Sequence, residues 1–585
     1  MNFIKRVFST VIGIFVFLAI CFIGLVLLGM LFGSGTEEGI KVKANSVLEL
    51  TLDFPIKDYA GKTEFAEYPF LNENNKNGLF NIINAINYAS IDAKIKGISI
   101  DNNFINAGIS QTKALRDALL RFKESGKFIV AYGDFYSQKD YYLSSVADTI
   151  YLNPVGAVEF KGLYSERLYF KDFQEKSGLK MEVVRLGKFK SAVEPFIANE
   201  MSENNREQIS VYLNSLWSQI KQDISSSRNI PVDKLNSIAD SLLARNAKLA
   251  EVSNLVDKVA YHDEYVDGMK HALEINTNKD LNVIPILDYA IHADKKINYN
   301  KNKIAVIYAE GDITYGEGEL GSVGQGVMNT SLQKARNNDN IKAIVLRINS
   351  PGGSALASEL IWREIELTKI VKPVIVSMGD MAASGGYYIA SNANKIIAEP
   401  TTITGSIGVF GMLPNGKEFA DNMGINAEQV ITNQNAVTYS FFEPLNDIQR
   451  RFIKEGVLDI YDLFSTRVAQ GRNLTRDQVE AIAQGRVWTG IDAINNGLVD
   501  ELGGLDLALQ YAAEAAEINE YQIKEFPVFE KDLDKMLEKF GIVKTKETIL
   551  KEELGEENYK LLKEIKTMSE KKGIQLLFPF GTEIK

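Results

Sequence analysis

The sequence predicts an α/β fold made of two tandem copies of one domain, preceded by a single transmembrane helix. Three observations predict it: an internal repeat, strands that alternate with helices within each repeat, and a long uncharged run near the first residue. A chain of 585 residues is also too long for one compact core. Its length suggests about three or four domain-sized units.

The repeat consists of similar segments at a nearly constant spacing. The first two pairs share an offset of 246 residues (341 − 95 and 374 − 128), and the third has an offset of 243 (498 − 255). Chance similarity would not keep one register over so many positions, so the repeat indicates a duplicated domain. The matched segments are 95–103 with 341–349, 128–154 with 374–400, and 255–257 with 498–500.

Each copy has the pattern of crossover units, in which strands alternate with helices. In the second copy, strands are predicted at 341–348, 373–378 and 396–398, and helices at 354–368 and 385–391. The stretch from about Asp288 to Lys303 is polar and without periodicity, which predicts the boundary between the copies. The predicted organisation is a cytoplasmic stub and anchor at 1–36, a first domain at 45–287, a second at 303–525, and a helical extension at 526–585.

The uncharged run covers residues 7–36 and exceeds the ~20 apolar residues that a membrane-spanning helix needs. Basic residues precede it at 5–6 and acidic residues follow at 37–38, so the body is expected outside the cytoplasm. The alternative is a cleaved signal peptide, whose apolar region would be only ~7–15 residues long.

Composition excludes several classes of function. The net charge of −11 argues against nucleic acid as a partner, because phosphate contacts need clusters of Lys and Arg. The one cysteine, Cys21, permits no intramolecular disulfide and no cysteine metal site. The spacing of His262, His271 and His292 matches no common ligand pattern, so no metal site is predicted.

Two segments of the second copy carry the parts of an acyl-transfer site. Residues 349–353 place two glycines directly after a strand, and residues 382–387 form a small-residue turn that leads into a helix. A Ser-Gly-Gly alone is more often a turn or a helix cap than a nucleophile. Together the segments supply a hydroxyl, Ser384, and two candidate oxyanion donors, the amides of Gly353 and Gly385.

The first copy has lost these parts. At the offset of 246, Gln138 replaces Ser384, Lys139-Asp140 replace Gly385-Gly386, and Asn106-Ala107 replace Gly352-Gly353. A lysine can act as the base of such a site if desolvation lowers its pKa. The residues alone do not choose among the many lysines.

Four motifs resemble the bacterial signal peptide peptidase A family in its long, two-domain form. The similarity extends from the anchor to about Gly504, and it implies the fold of the crotonase and caseinolytic-protease superfamily. The matching motifs are NSPGG at 349–353, GDMAASGGYY at 379–388, TGSIG at 404–408 and GKFKSAVEPF at 187–196.

The resemblance also implies the site. Ser384 would be the nucleophile and Lys190 the general base, with Lys188 as the competing choice. Ser406 would hold the lysine amine in place, unless it is a loop serine that satisfies only local backbone. No metal or organic cofactor is implied.

The family further implies a homotetramer in the bacterial inner membrane, with signal peptide remnants as substrates and no nucleic-acid partner. Two other functions stay open at this point. One is a catalytically inactive membrane scaffold of the same fold. The other is a crotonase-type acyl-CoA enzyme, which an outward-facing body disfavours because coenzyme A is cytoplasmic.

Overall fold

The strands follow the predicted two-copy pattern in a computed structural model that describes residues 10–21, 23–24, 41–63, 77–102, 104–276, 278–294, 300–529, 550–551, 555, 559 and 573–577. The strands are β1 Ser46–Leu50, β2 Lys62–Thr63, β3 Ile95–Asp101, β4 Phe128–Gly133, β5 Thr149–Leu152, β6 Lys180–Leu186, β7 Lys258–Val259, β8 Asn282–Pro285, β9 Lys303–Glu310, β10 Asp312–Thr314, β11 Ser322–Gly324, β12 Ile341–Ser350, β13 Gly352–Ser354, β14 Val374–Ala383, β15 Lys395–Ala398, β16 Ile403–Gly405, β17 Val409–Asn415, β18 Val487–Thr489, β19 Glu501–Leu502, β20 Gln522–Phe526, β21 Val528–Phe529 and β22 Gly573–Leu577.

Helices connect most of the parallel strands, as crossover units require. They span Leu79–Ile91, Ile109–Lys123, Gln138–Ser144, Lys171–Ser177, Glu194–Ile197, Glu203–Arg228, Val232–Asp240, Ala247–Val252, His262–Ala272, Ile286–Asp294, Gln325–Asn337, Ala355–Lys369, Gly385–Ala390, Lys417–Asn422, Asp447–Arg472, Arg476–Ile482, Gly490–Asn495 and Leu505–Ala515.

The duplication is confirmed element by element. Helix Ile109–Lys123 corresponds to Ala355–Lys369 at an offset of 246 (355 − 109), and β5 corresponds to β15 at the same offset (395 − 149). The shorter offset of 243 relates β7 to β19 (501 − 258). The elements therefore keep the register that the repeat predicted.

Each copy has its own mostly parallel sheet. The order is β7-β5-β4-β3-β1-β8 in the first copy and β18-β16-β14-β12-β9-β20 in the second, where β15 and β19 extend from β14. Apolar side chains of β12 are buried on both faces of the sheet, as expected for parallel strands covered by helices.

A third sheet joins the two copies. Its order is β11-β10-β13-β22-β17-β6, so a strand of the first copy closes a sheet of the second. Strand β6 pairs antiparallel with β17 from Val409↔Leu186 to Asn415↔Lys180. This pairing fixes the chain that follows β6 against the second copy.

Two sequence predictions are corrected. The irregular boundary predicted from Asp288 is wrong up to residue 294, because helix Ile286–Asp294 continues there and buries Tyr289 and Ala290 against the first copy. The extension predicted as helical from residue 526 instead contains β21 and β22, while residues 550–551 and 559 are helical. Most of the remaining extension lies outside the described residues.

The predicted anchor falls only partly within the described residues. Residues 10–21 and 23–24 are helical, and the rest of the run at 7–36 is outside them. Among the described residues, no helix combines the length and the apolar character that crossing a membrane requires.

A buried cluster of charges lies where the copies meet. Asp58 Oδ1 of the first copy lies 3.2 Å from Arg347 Nη2 of the second, and Asp380 Oδ1 accepts a hydrogen bond from the Ser110 amide at 2.7 Å. Burial raises the pKa of Asp380 to about 6 and that of Glu399 to about 7. At a pH between the ordinary and the raised pKa values, these two carboxyl groups therefore keep protons that they would release in an unfolded chain.

This cluster makes a prediction for stability against pH. Because the folded pKa of Glu399 is raised to about 7 from an ordinary 4.5, its contribution to stability is complete below pH ~4.5 and is lost as the pH rises through 7. Glu399→Gln is therefore expected to raise the unfolding free energy at pH 8 by up to about 3 kcal/mol. The melting temperature at pH 8 should rise accordingly. Thermal unfolding from pH 5 to pH 8 measures the effect.

The matched control is Glu428→Gln, an exposed carboxylate far from the junction in sequence. It should shift the melting temperature little. A Glu399→Gln effect that is the same at pH 5 and pH 8 would contradict the raised pKa.

Candidate active site

Ser384 stands at the turn between strand β14 and helix Gly385–Ala390. Its backbone has φ 54° and ψ −113°, a conformation that side-chain-bearing residues rarely adopt. Such a residue costs of order 1–3 kcal/mol and persists when its surroundings hold it, commonly at functional sites. Here the Ser384 amide donates to the Gly405 carbonyl at 2.8 Å.

Lys190 of the first copy reaches Ser384 of the second within the same chain. Its Nζ donates to Ser384 Oγ at 2.8 Å and to Ser406 Oγ at 3.0 Å, and it lies 3.2 Å from the Ser406 carbonyl. All three residues are fully buried. The structure thus brings together three residues that the sequence separates by up to 216 positions (406 − 190).

Burial sets the protonation of this amine. Because the charged form loses its hydration, the pKa of Lys190 falls well below its ordinary value of 10.5. Lys188, the competing residue, is exposed and lies 5.1 Å from the centre of the Phe189 ring. Of the two lysines, Lys190 is therefore the one positioned to act as a neutral base.

The lysine is held by glycine backbone from two segments, and the sequence motifs include only the first of them, which contains Gly408. An ideal Cβ on Gly485 would lie 2.6 Å from Lys190 N, and one on Gly408 would lie 3.2 Å from its Cδ. The Phe189 amide donates to the Gln484 carbonyl at 3.0 Å. Gly485 has φ +83°, but this glycine carries no signal in the sequence that links it to Lys190.

Gln208 is a second residue that the sequence analysis missed. Its side-chain amide donates to the Phe189 carbonyl and to Ser191 Oγ, both at 3.0 Å. It therefore ties helix Glu203–Arg228 to the two residues that flank Lys190. A buried glutamine on a long helix is recognised only once the fold is known.

The two candidate oxyanion donors lie side by side. An ideal Cβ on Gly385 would be 3.1 Å from the Gly353 nitrogen. The neighbouring Gly352 amide donates to Ser350 Oγ at 3.1 Å, so Gly353 is the better placed of the two glycines. Only glycine fits at 353, because a Cβ there would lie 2.0 Å from the Ile313 carbonyl oxygen.

The equivalent place in the first copy is filled. Gln138 Oε1 accepts from the amides of Lys161 and Gly162 at 3.1 and 3.0 Å. Lys139 Nζ donates to the Ala107 carbonyl at 2.7 Å, where the second copy has Gly353. The first copy therefore has side chains where the second has a hydroxyl and a glycine turn.

Comparison with known proteins agrees with this architecture. The model of peptidase family S49 matches twice, at residues 121–276 and 366–519, once in each copy. The chain belongs to peptidase family S49. A Clp protease model also matches residues 295–405, so the duplicated unit of this S49 peptidase is Clp-protease-like.

Relatives of this S49 peptidase match over most of its length. "Protease 4" of Haemophilus influenzae is 38% identical, covering 85% of this chain and 83% of its own. "Protease 4" of Salmonella typhi is 37% identical, covering 77% and 74%. "Serine protease SPPA, chloroplastic" of Arabidopsis thaliana is 33% identical, covering 82% and 70%. The resemblance to the signal peptide peptidase A family is thereby confirmed, and the S49 chain is a serine peptidase.

Proposed function

We propose that this serine peptidase cleaves peptide bonds with a Ser384/Lys190 dyad. The observation that carries the proposal is the 2.8 Å hydrogen bond between Lys190 Nζ and Ser384 Oγ in a fully buried site. Neutral Lys190 accepts the hydroxyl proton as Ser384 Oγ attacks the peptide carbonyl carbon. Ser406, 3.0 Å from the amine, orients it toward the nucleophile.

The remaining steps follow from the same groups. The amides of Gly353 and Gly385 stabilise the oxyanion, and one such donor is worth about 3 kcal/mol. Protonated Lys190 then gives its proton to the leaving amine, which leaves an acyl group on Ser384 Oγ. Water, deprotonated by Lys190, releases the acid and regenerates the serine.

The proposed substrates are unfolded apolar peptides, in particular signal peptides left in the membrane. An extended peptide binds a protein by adding a strand to a sheet edge, and β13, which contains Gly353, is a strand next to the nucleophile. The motifs shared with the signal peptide peptidase A family support the apolar preference.

The proposed location is the bacterial inner membrane, with the catalytic body on the periplasmic side and the chain assembled as a homotetramer. Residues 7–36 would form the anchor, since they carry no charge and are flanked by basic residues before and acidic residues after. Within the described part of this run, Phe15 and Phe17 are 70% and 64% exposed.

The pH dependence of peptide cleavage tests the dyad. Because only neutral Lys190 can accept the proton, kcat/KM is expected to rise about tenfold per pH unit below the lowered pKa and to level off above it. The measurement is hydrolysis of an apolar fluorogenic peptide, paired with labelling of Ser384 by a fluorophosphonate. Lys188→Ala should give the same profile as the wild type, and a flat profile would refute a lysine base.

A further inference from the structure

A cavity of about 280 Å³ lies between the two copies, and we call it the junction cavity. The first copy lines it with helices Leu79–Ile91 and Ile109–Lys123, and the second copy with β9, β12, β20 and helix Leu505–Ala515. Pockets that bind small molecules begin at about 300 Å³, so this volume suits a small ligand. Its described lining residues include neither Ser384 nor Lys190.

The wall of the junction cavity combines an apolar part with an acidic part. The apolar side chains come from both copies and include Leu79, Ile83, Leu505, Leu509 and Ile523. The acidic side chains are those of Asp58, Asp117, Glu399 and Asp506. Such a wall fits a molecule that has an apolar body and a positively charged end.

Three of the four carboxylates form an ion pair with a basic residue of the chain. The pairs are Asp58–Arg347 at 3.2 Å, Asp117–Lys113 at 2.8 Å and Asp506–Arg121 at 3.3 Å. Glu399, the fourth, forms no ion pair with any residue that the structure describes. The cavity therefore has one more carboxylate than it has paired cations.

Glu399 is almost completely buried and lies against the cavity. It is 2% exposed, and an ideal Cβ on Gly504, another lining residue, would lie 2.8 Å from Glu399 Oε1. No described residue donates a hydrogen bond to this carboxylate. Asp58, which is 3% exposed, likewise has a buried Oδ2 that accepts no hydrogen bond from the described residues. A buried carboxylate without a partner is costly when ionised, and a cation in the cavity would offset that cost.

We propose that the junction cavity binds one small organic cation, a primary ammonium group on a short alkyl chain. The ammonium group has three donors, and the acceptors that lack a donor on this wall are the Glu399 carboxylate and Asp58 Oδ2. The alkyl chain packs on Leu509 and Ile523. Because Asp58 belongs to the first copy and Glu399 to the second, the bound cation ties the two copies together.

A metal ion is the less suitable occupant. Among the described residues, no three or more His, Cys, Asp or Glu side chains are grouped so that they could hold one. An ammonium ion needs fewer carboxylates, and its chain uses the apolar part of the wall, which a bare ion would leave without a contact.

Binding of the cation depends on the ionisation of Glu399. Burial and the charges of Asp117 and Asp506 raise the pKa of Glu399 to about 7, although Lys113 and Arg347 act in the opposite direction. An alkylammonium ion keeps its charge up to about pH 10. The ionised fraction of Glu399 grows from about 10% at pH 6 to about 90% at pH 8, so the cation should bind about tenfold more tightly at pH 8.

Calorimetric titration of n-butylammonium chloride into the purified full chain tests the site. At pH 8 we expect one-to-one, saturable binding with a Kd of about 1 mM or below. The neutral analogue n-butanol should give no saturable binding. Absence of saturable butylammonium binding, or equal binding of butanol, would overturn the proposal.

Glu399→Gln locates the site, with Glu428→Gln as the matched control on an exposed carboxylate. Loss of a buried charge partner should weaken butylammonium binding about 30-fold or more in Glu399→Gln and leave it unchanged in Glu428→Gln. Equal affinity in the two variants would refute the site. Calcium chloride at matched ionic strength is the further comparison, and Glu399-dependent binding of calcium without binding of butylammonium would also refute an organic cation.

Two further readouts follow from the same titration. At pH 7, where Glu399 is half protonated, binding should release about half a proton per cation, measured in two buffers with different ionisation enthalpies; no release would contradict the role of Glu399. The Ser384→Ala chain should bind the cation as the wild type does. The proposal therefore stands or falls independently of the proposed dyad.

Discussion

Lys190→Met is expected to lower kcat/KM for peptide hydrolysis by about 10⁴-fold or more, the scale at which members of a catalytic unit act. Methionine has nearly the length of lysine and fits a buried, uncharged site, but it cannot accept the Ser384 proton. The Lys190 amine makes hydrogen bonds of 2.8 and 3.0 Å to two serines, and both would be lost. Steady-state hydrolysis of an apolar peptide measures the change.

Lys188→Met is the matched control, since Lys188 is exposed and two residues away. It should keep nearly all activity. Burial of the Lys190 amine lowers its pKa and therefore costs folding stability, and this cost grows as the pH falls below about 10. Lys190→Met removes this cost, so thermal unfolding should show that the variant is folded. If Lys190→Met were active and Lys188→Met inactive, the base would have to be reassigned.

Gly485→Ala is expected to reduce kcat/KM by at least about 100-fold, although Gly485 carries no functional group. Its Cβ would lie 2.6–2.7 Å from three atoms of Lys190, two of them backbone. The lysine segment must therefore move, and a displacement of about 1 Å at a catalytic group costs about 10²-fold. The same fluorogenic assay measures it.

Gly497→Ala provides the comparison, because Gly497 has nearly the same φ (+81° against +83°) and its Cβ would meet nothing closer than 3.7 Å. In both variants, an alanine in left-handed backbone conformation lowers folding stability by about 1–2 kcal/mol. Only Gly485→Ala should lose activity, and equal losses in the two would show that backbone strain, not contact with Lys190, is responsible.

The fold was predictable because the same pattern of strands and helices occurs twice in the sequence. Strand β12 starts at Ile341 and β15 spans Lys395–Ala398, as the apolar runs and the offset of 246 indicated. The boundary prediction failed at Asp288 because polar residues dominate the stretch, while Tyr289, Ala290 and Ala293 give it a buried helical face. Strand β22 was missed because its partners, β13 and β17, are more than 150 residues away.

The site was predictable only in part. Local pattern was enough for Ser384 and the amides of Gly353 and Gly385, since a strand–turn–helix with small residues is encoded in consecutive positions. The choice of Lys190 required resemblance to a family, because its contact with Ser384 spans 194 residues. Gly485 supports Lys190 only because its lack of a side chain lets the two backbones approach closely. A contact between backbones so far apart in sequence leaves no pattern of residues from which it could be predicted.

The pairing of β6 with β17 has a consequence for the time at which the enzyme becomes active. During synthesis the first copy emerges and folds before the second. Lys190, in the first copy, is therefore made 194 residues before Ser384, in the second. The pocket around Lys190 is completed only by Gly408 and Gly485. Under the proposed dyad, an incomplete chain is therefore chemically inert, and the peptidase cannot cleave other proteins until almost all of it has been made.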